Sequence, residues 1–236
     1  PKWLLPSPLS VGLELISNLE LLIGHAWVTL IEILVGFLLG LLVGVIFAIF
    51  IESSNVLEKV AYPIIITSQT IPVIVIAPLL IIWIGYGIWP KIIVVILMAF
   101  FPIVVNMVDG LKSVDPDMVR MLRSLGASRM QVLTKLKLPT SLPFLFSGMR
   151  IAITVSVIGA VVGEWVGASS GLGYLMIRSA SQFLTDRVFA AILILSAIGV
   201  SLFGGIVILE RMCIPWHYRN RGSFANNAER GTKFGK

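Results

Sequence analysis

Long apolar runs, broken by short polar interruptions, set the pattern of this chain, and their lengths suit a membrane better than a soluble core. Trp27 to Ile51 is the first clear run, with one acid, Glu32, near its start. A spanning helix needs about 20 mostly apolar residues, which this run supplies. Gly36, Gly40 and Gly44 recur in it every four residues, a small-residue stripe that allows close helix packing in lipid. Val60 to Ile84 predicts a second span, interrupted by Pro63, Pro72 and Pro78, with the polar cluster Thr67-Ser68-Gln69-Thr70 at its middle. Carbonyls freed by proline need partners in other helices or a water-filled cavity, so pore lining and interhelical hydrogen bonding both fit the cluster. Lys91 to Val108, containing Pro102, predicts a third span. Phe144 to Val166, with Arg150 near its entry and Glu164 near its exit, predicts a fourth, and Val188 to Leu209 a fifth.

The connecting segments carry their own signals. Ser7-Pro8 supplies an N-cap followed by proline, and Leu9 to Ile23, with Glu14, Asn18 and Glu20, predicts an amphipathic helix at the interface. Gly167 to Asp186 predicts a Gly- and Ser-rich connection holding a short helix over Leu172 to Phe183. Ile214-Pro215-Trp216 marks an interfacial end, and Arg219 to Lys236 is expected to be disordered. The domain division expected is therefore an N-terminal interfacial segment over 1–26, a transmembrane body over 27–217 and a tail over 218–236. The fold class expected is all-α and polytopic.

Composition agrees. Of 236 residues, 57% are hydrophobic and 13% charged, against about a quarter charged in soluble domains. The net charge of +6 is concentrated in one loop and the tail, which points to membrane topology and not to nucleic acid. Cys213 stands alone and His25 and His217 lie far apart, so neither an internal disulfide nor a metal cluster is expected. The chain opens at Pro1 without a signal-peptide pattern, and the natural protein is expected to continue upstream.

The most informative stretch is Val114 to Pro143. Between Lys112 and Lys137 the bases Lys112, Arg120, Arg123, Arg129, Lys135 and Lys137 oppose only Asp115 and Asp117. Asp115-Pro116 predicts a helix start, Val119, Leu122 and Leu125 an apolar face, and Gly126 a tight turn. Ser128 to Gln131 fits a capping box that opens a second helix, with Met130, Leu133 and Leu136 on its apolar face and Pro139 limiting its length. A loop that only set topology would explain the bases but not the helix–Gly–helix pattern. The basic residues place this loop, residues 112–139, and the tail with Arg211, Arg219 and Arg221 in the cytoplasm. The Glu52 to Lys59 turn should share that side, although Lys59 is its only base.

Here the chain resembles a known family. Gly126-Ala127 followed by Leu138-Pro139 is similar to the cytoplasmic coupling loop of ABC-importer permeases of the binding-protein-dependent type. Leu5-Pro6-Ser7-Pro8, Ile71 to Lys91, Ala99-Phe100-Phe101-Pro102, Ser113-Val114-Asp115-Pro116, Gly148 to Ile153, and Glu164 with Gly167 to Tyr174 look like permeases for nitrate, sulfonates, taurine and pyrimidine vitamin precursors. The resemblance extends to about His217. It implies six spans against the five visible here, so that either a first span lies upstream or the N-terminal helix embeds more deeply than its polarity suggests. Family members usually carry Glu-Ala-Ala six residues before the loop glycine, whereas this chain has Arg120-Met121-Leu122.

What the resemblance implies is a permease subunit in the bacterial plasma (inner) membrane. Its partners would be ABC ATPase subunits, a second copy of itself, an extracytoplasmic binding protein and membrane lipid, with no nucleic acid. The ATPase contact would use Arg120, Arg123, Leu125, Gly126, Ala127, Ser128, Leu138 and Pro139. The sequence has no G-x-x-x-x-G-K-[ST] phosphate loop, so no cofactor is expected on this chain; ATP and magnesium belong to the ATPase. Glu32, Ser68, Gln69, Thr70 and Glu164 are the expected substrate pathway, with Arg178 and Arg187 as candidate partners of Glu164. These acids and polar groups suit a thiamine-type pyrimidine or similar vitamin precursor better than nitrate, sulfonate or taurine, and Ile214-Pro215-Trp216-His217 looks like the vitamin-precursor members. A proton-coupled secondary transporter with Glu164 as relay is the alternative of another class, but no internal repeat is visible. A membrane enzyme would need a side-chain cluster that the sequence does not offer.

Overall fold

The computed structural model describes residues 6–215; Leu5, Trp216-His217 and the tail with Arg219 and Arg221 lie outside them. The described residues are helices joined by short turns, without strands. In order they form α1 (Pro8–Ser17), α2 (Leu19–Glu52), α3 (Asn55–Ser68), α4 (Val73–Ile84), α5 (Ile88–Lys112), α6 (Pro116–Ser124) and α7 (Arg129–Val132). A π-helical turn (Leu133–Lys137) then leads into α8 (Leu138–Trp165), α9 (Leu172–Ser181) and α10 (Thr185–Cys213). Four helical stretches are long and apolar enough to cross a membrane, and a fifth span exists if the bent pair α3–α4 is taken as one.

The interfacial helix expected over Leu9 to Ile23 is split. Asn18 leaves helical geometry at φ −120°, ending α1, and the residues after it belong to α2. At about 1.5 Å per residue, the 34 residues of α2 exceed the roughly 30 Å of a bilayer core. On α1, Val11 and Leu15 pack against α9 and α10. Ser10 donates to Asp186 at 2.8 Å and Arg187 to Glu14 at 2.7 Å, tying α1 to the start of α10.

The second expected span is broken, not merely kinked. Its two halves meet at 95°. Pro72 lacks an N–H and pushes Ile71 out of helical geometry, so the chain turns at Gln69 to Pro72. The hydroxyls of Thr67, Ser68 and Thr70 turn back onto the carbonyls of Pro63, Ile65 and Thr67, so that these polar groups are satisfied within their own segment.

The centre of the fold is α5, held between α2 and α8. The glycine stripe of α2 faces α5, where Gly36 lies against Val95, Gly40 against Ala99 and Gly44 against Ile103. Both helices advance four residues per step in the same direction, so they run parallel. Glycines of α8 grip the other side: Gly148 lies against Pro102 and Asn106, Gly159 against Val95 and Met98, and Gly163 against Lys91. Those positions run in opposite senses, so α8 is antiparallel to α5. Val95, Ala99, Ile103, Phe146, Ala152 and Ile153 are buried along these seams. The small-residue stripe therefore packs within one chain.

Pro139 does not end the second loop helix. The π-helical turn Leu133–Lys137 precedes it, with Leu138 N–H bonded to the Leu133 carbonyl, and the helix continues into α8. Widening the turn accommodates a proline ring that would otherwise crowd the preceding turn, and Thr140 Oγ1 donates to the Leu136 carbonyl at 2.8 Å.

Candidate functional site

Two constellations stand at opposite ends of α5. At its C-terminal end is the basic loop. Asp115 accepts a hydrogen bond from Asp117 N–H at 2.8 Å, capping α6 behind Pro116. That helix closes in a Schellman motif: Gly126 N–H donates to Arg123 O and Ala127 N–H to Leu122 O, both at 3.0 Å, with Gly126 at φ +86°. A left-handed residue is required there, and glycine adopts that conformation without a Cβ penalty. Ser128 and Gln131 form the expected reciprocal capping box, at 2.8 and 3.2 Å.

The faces of the loop differ from the expected ones. Val119 and Leu122 are half-buried, Leu133 packs against α2, α5 and α8, and Leu136 is also half-buried. The free apolar surface is Met118, Met121 and Leu125 at i, i+3 and i+7, joined by Met130; Leu125 is 76% exposed at the turn. Arg120 pairs with Asp117 on its own helix, while Arg123 lines a cleft beside the loop. Leu138 packs into the bundle and Pro139 is exposed on the continuous helix.

Ion pairs fix which segments share this end. Lys137 pairs with Glu52, Lys112 pairs with Glu58 at 2.9 Å, and Tyr62 donates to Asp109 at 2.9 Å. The Glu52 to Lys59 turn therefore lies beside the basic loop, its acids pairing with Lys112 and Lys137.

At the other end of α5 sits a buried polar cluster. Glu32 of α2 and Glu164 of α8 are both within it, essentially without solvent exposure. Lys91, in the first turn of α5, pairs with Glu32 Oε1. Thr29, one turn before Glu32, donates to Glu164 Oε1 at 2.6 Å and accepts from Leu172 N–H at 2.8 Å. Gly173 N–H donates to the other Glu164 oxygen, and Gly171 N–H donates to His25 Nδ1 at 3.0 Å. That last bond requires an unprotonated His25 Nδ1. Gly171 has φ +115°, and a Cβ there would fall on the Glu164 carboxylate. Glu164 thus fastens the end of α8 to the start of α9 through the Gly173 N–H. Arg178 bonds Tyr174 at 3.2 Å and Arg187 bonds Glu14, so neither expected base is a partner of Glu164.

Glu32 Oε2 is buried without a hydrogen-bond donor. A cleft of about 520 Å³ opens beside the cluster, its lining including Glu32, Lys91, Tyr86 and the segment from Gly167 to Ser170. Ser68, Gln69 and Thr70 are not part of this cluster. They sit at the α3–α4 break, with the two hydroxyls bonded to nearby carbonyls.

Sequence reasoning missed His25, Thr29, Lys91, Gly171 and Gly173. A signal for one of them, Lys91, existed: Glu32, Gly36, Gly40 and Gly44 share one helix face, as do Lys91, Val95, Ala99 and Ile103. Extending the glycine stripe by one step leads to Glu32, and the matching step on α5 leads to Lys91.

Comparison with known proteins decides what this architecture belongs to. Residues 36–213 match the model of the family described as binding-protein-dependent transport system inner membrane component. The chain belongs to that family. It is similar to the formylaminopyrimidine transport permease protein ThiX of Halalkalibacterium halodurans, 41% identical over 215 residues, 91% of this chain and 86% of that one. It also resembles the putative aliphatic sulfonates transport permease protein SsuC of Bacillus subtilis, 34% identical over 92% of this chain and 80% of that one. Among solved structures, an inward-facing form of the MetNI methionine ABC transporter shares the fold, with a TM-score of 0.73 over 83% of this chain and 97% of that one at 20% identity. The protein is therefore a multi-pass ABC-importer permease subunit of the inner membrane. It is not an enzyme, and ATP hydrolysis resides in a separate chain.

Proposed function

We propose that this permease imports a thiamine-type pyrimidine or similar heteroaromatic vitamin precursor. In this reading an extracytoplasmic binding protein delivers the solute at the Glu32–Lys91–Glu164 end. Two copies of the chain enclose the path, and ATPase subunits dock on the loop 112–139 at the cytoplasmic end. ATP-driven closure of the ATPases would move the loops, and the loops the bundle, so that access alternates.

The observation that carries the substrate class is the charge of the buried cluster. Glu32 and Glu164 face a single base, Lys91, which Glu32 already engages. Arg150, farther along α8, is paired with Glu210. An oxyanion entering beside this cluster would meet carboxylates and a committed ammonium, whereas a neutral or weakly cationic amine finds acceptors. The name of the ThiX relative agrees with a pyrimidine. A sulfonate reading is favoured by the name of the SsuC relative.

The test is uptake into proteoliposomes holding the permease, its cognate ATPase and its binding protein. ATP-dependent accumulation of labelled formylaminopyrimidine, undiminished by excess taurine or alkanesulfonate, is expected. Accumulation of taurine or sulfonate alone overturns the substrate assignment. Uptake in a proton gradient without the ATPase would favour the proton-coupled alternative.

A further inference from the structure

The bases of the loop are unequally neutralised. Lys112 is paired with Glu58, Lys137 with Glu52 and Arg120 with Asp117, while Asp115 is occupied in capping its own helix. Among the described residues no carboxylate pairs with Arg123 or Arg129. Both are exposed, one closing α6 and the other opening α7 across the Gly126 turn, and both line one cleft of about 810 Å³. Lys137, Glu52, Met130 and Leu133 are among its other walls. The only acid there, Glu52, is already held by Lys137. Along the same loop surface run the exposed Met118, Met121 and Leu125.

We propose that the ATPase segment entering this cleft carries two carboxylates, one for Arg123 and one for Arg129, and that this acidic complement selects the cognate ATPase. The proposal rests on the reading that the loop docks an ATPase, and adds the chemistry of the docking. Two arginines favour planar, bidentate carboxylate partners. The mixture of exposed methionine, leucine and arginine matches the composition of protein interfaces, where methionine and arginine are enriched. A cleft of this volume accepts a turn of polypeptide more readily than a lone anion. Charge placed this way governs partner choice and encounter rate.

The test titrates the cognate ATPase onto the full-length permease in lipid nanodiscs, prepared with zwitterionic lipid and separately with anionic phosphatidylglycerol. Variants are R123Q, R129Q and R123E/R129E, with L125D as a control for docking itself; a monodisperse elution profile screens for folding. In zwitterionic discs R123E/R129E should weaken ATPase binding by at least about tenfold, the single glutamine variants severalfold, and high salt should weaken the wild type. Replacing the matching ATPase acids with lysine should restore binding to R123E/R129E. Wild-type affinity of R123E/R129E, alongside loss of binding in L125D, overturns the acidic complement but leaves the docking site in place. Wild-type affinity of both variants overturns the docking reading itself. An effect of R123E/R129E confined to anionic discs assigns the arginines to lipid headgroups and also overturns the proposal.

Discussion

Lys91 meets Glu32 in the same register that sets Val95 against Gly36, Ala99 against Gly40 and Ile103 against Gly44. The ion pair is the polar end of an otherwise apolar seam between two parallel helices. Close approach along the glycines brings α2 and α5 together, and that proximity lets a buried ammonium and carboxylate meet near one end of the bundle. Packing and polar chemistry are thus coupled through one helix pair.

Breaking that pair from one side should be costly. Glu32→Leu leaves the Lys91 ammonium buried without its partner, which typically costs about 3–5 kcal/mol. The double variant Glu32→Leu/Lys91→Met should recover most of the loss. Thermal unfolding of the detergent-solubilised protein checks this; equal destabilisation of single and double variants would contradict it.

The seam itself tolerates no added volume at its centre. A Cβ at Gly40 would lie 2.9 Å from Ala99 Cβ and 3.2 Å from the Ile96 carbonyl. Gly40→Val should destabilise the chain by about 1–3 kcal/mol through overpacking. Ala99→Gly in the same chain should restore part of the loss. The comparison is the midpoint of thermal unfolding for the two variants.

Glu164 should matter to transport beyond its hold on the loop. Glu164→Gln keeps the size and one acceptor oxygen, enough for either Thr29 Oγ1 or Gly173 N–H while its NH2 faces the other, and removes a negative charge beside the cleft. The variant is expected to fold and assemble with reduced uptake. Wild-type uptake by a folded variant would leave Glu164 a purely structural acid. Gly171→Ala is the contrasting case, because both its φ and the Glu164 carboxylate oppose a Cβ; reduced thermal stability is expected there.

Much of this fold was legible in the sequence, for identifiable reasons. The spans followed from apolar length, and the loop from local signals that need no tertiary context: Asp115-Pro116, the Gly126 turn and the Ser128–Gln131 box all form as expected. The break at Pro72 and the continuation through Pro139 were not legible, because a proline can kink, end or be absorbed by a helix according to its surroundings. The partner of Glu164 was equally hidden. The backbone N–H of Gly173 and the hydroxyl of Thr29 carry no charge pattern, whereas Arg178 and Arg187 do, and charge alone pointed to the wrong residues.

The loop turn offers a further check. Gly126→Val forces a β-branched residue into the left-handed region, at a cost of about 1–3 kcal/mol if the turn is kept. Membrane insertion should be normal, while uptake and substrate-stimulated ATP hydrolysis fall together. Unchanged stimulation in the reconstituted complex would count against a coupling role.

The central claim, that this loop is where an ATPase subunit engages the permease, is tested most directly by site-specific cross-linking. Cys213 is the single native cysteine and is exposed, so it is first replaced by serine. Leu125→Cys then places one thiol at the exposed tip of the turn. Oxidation of the complex with a cysteine-scanned cognate ATPase should yield a permease–ATPase disulfide whose yield changes between the nucleotide-free and ATP-bound states. Absence of any such cross-link across the scanned ATPase surface, in a complex that still hydrolyses ATP in response to substrate, would contradict the account.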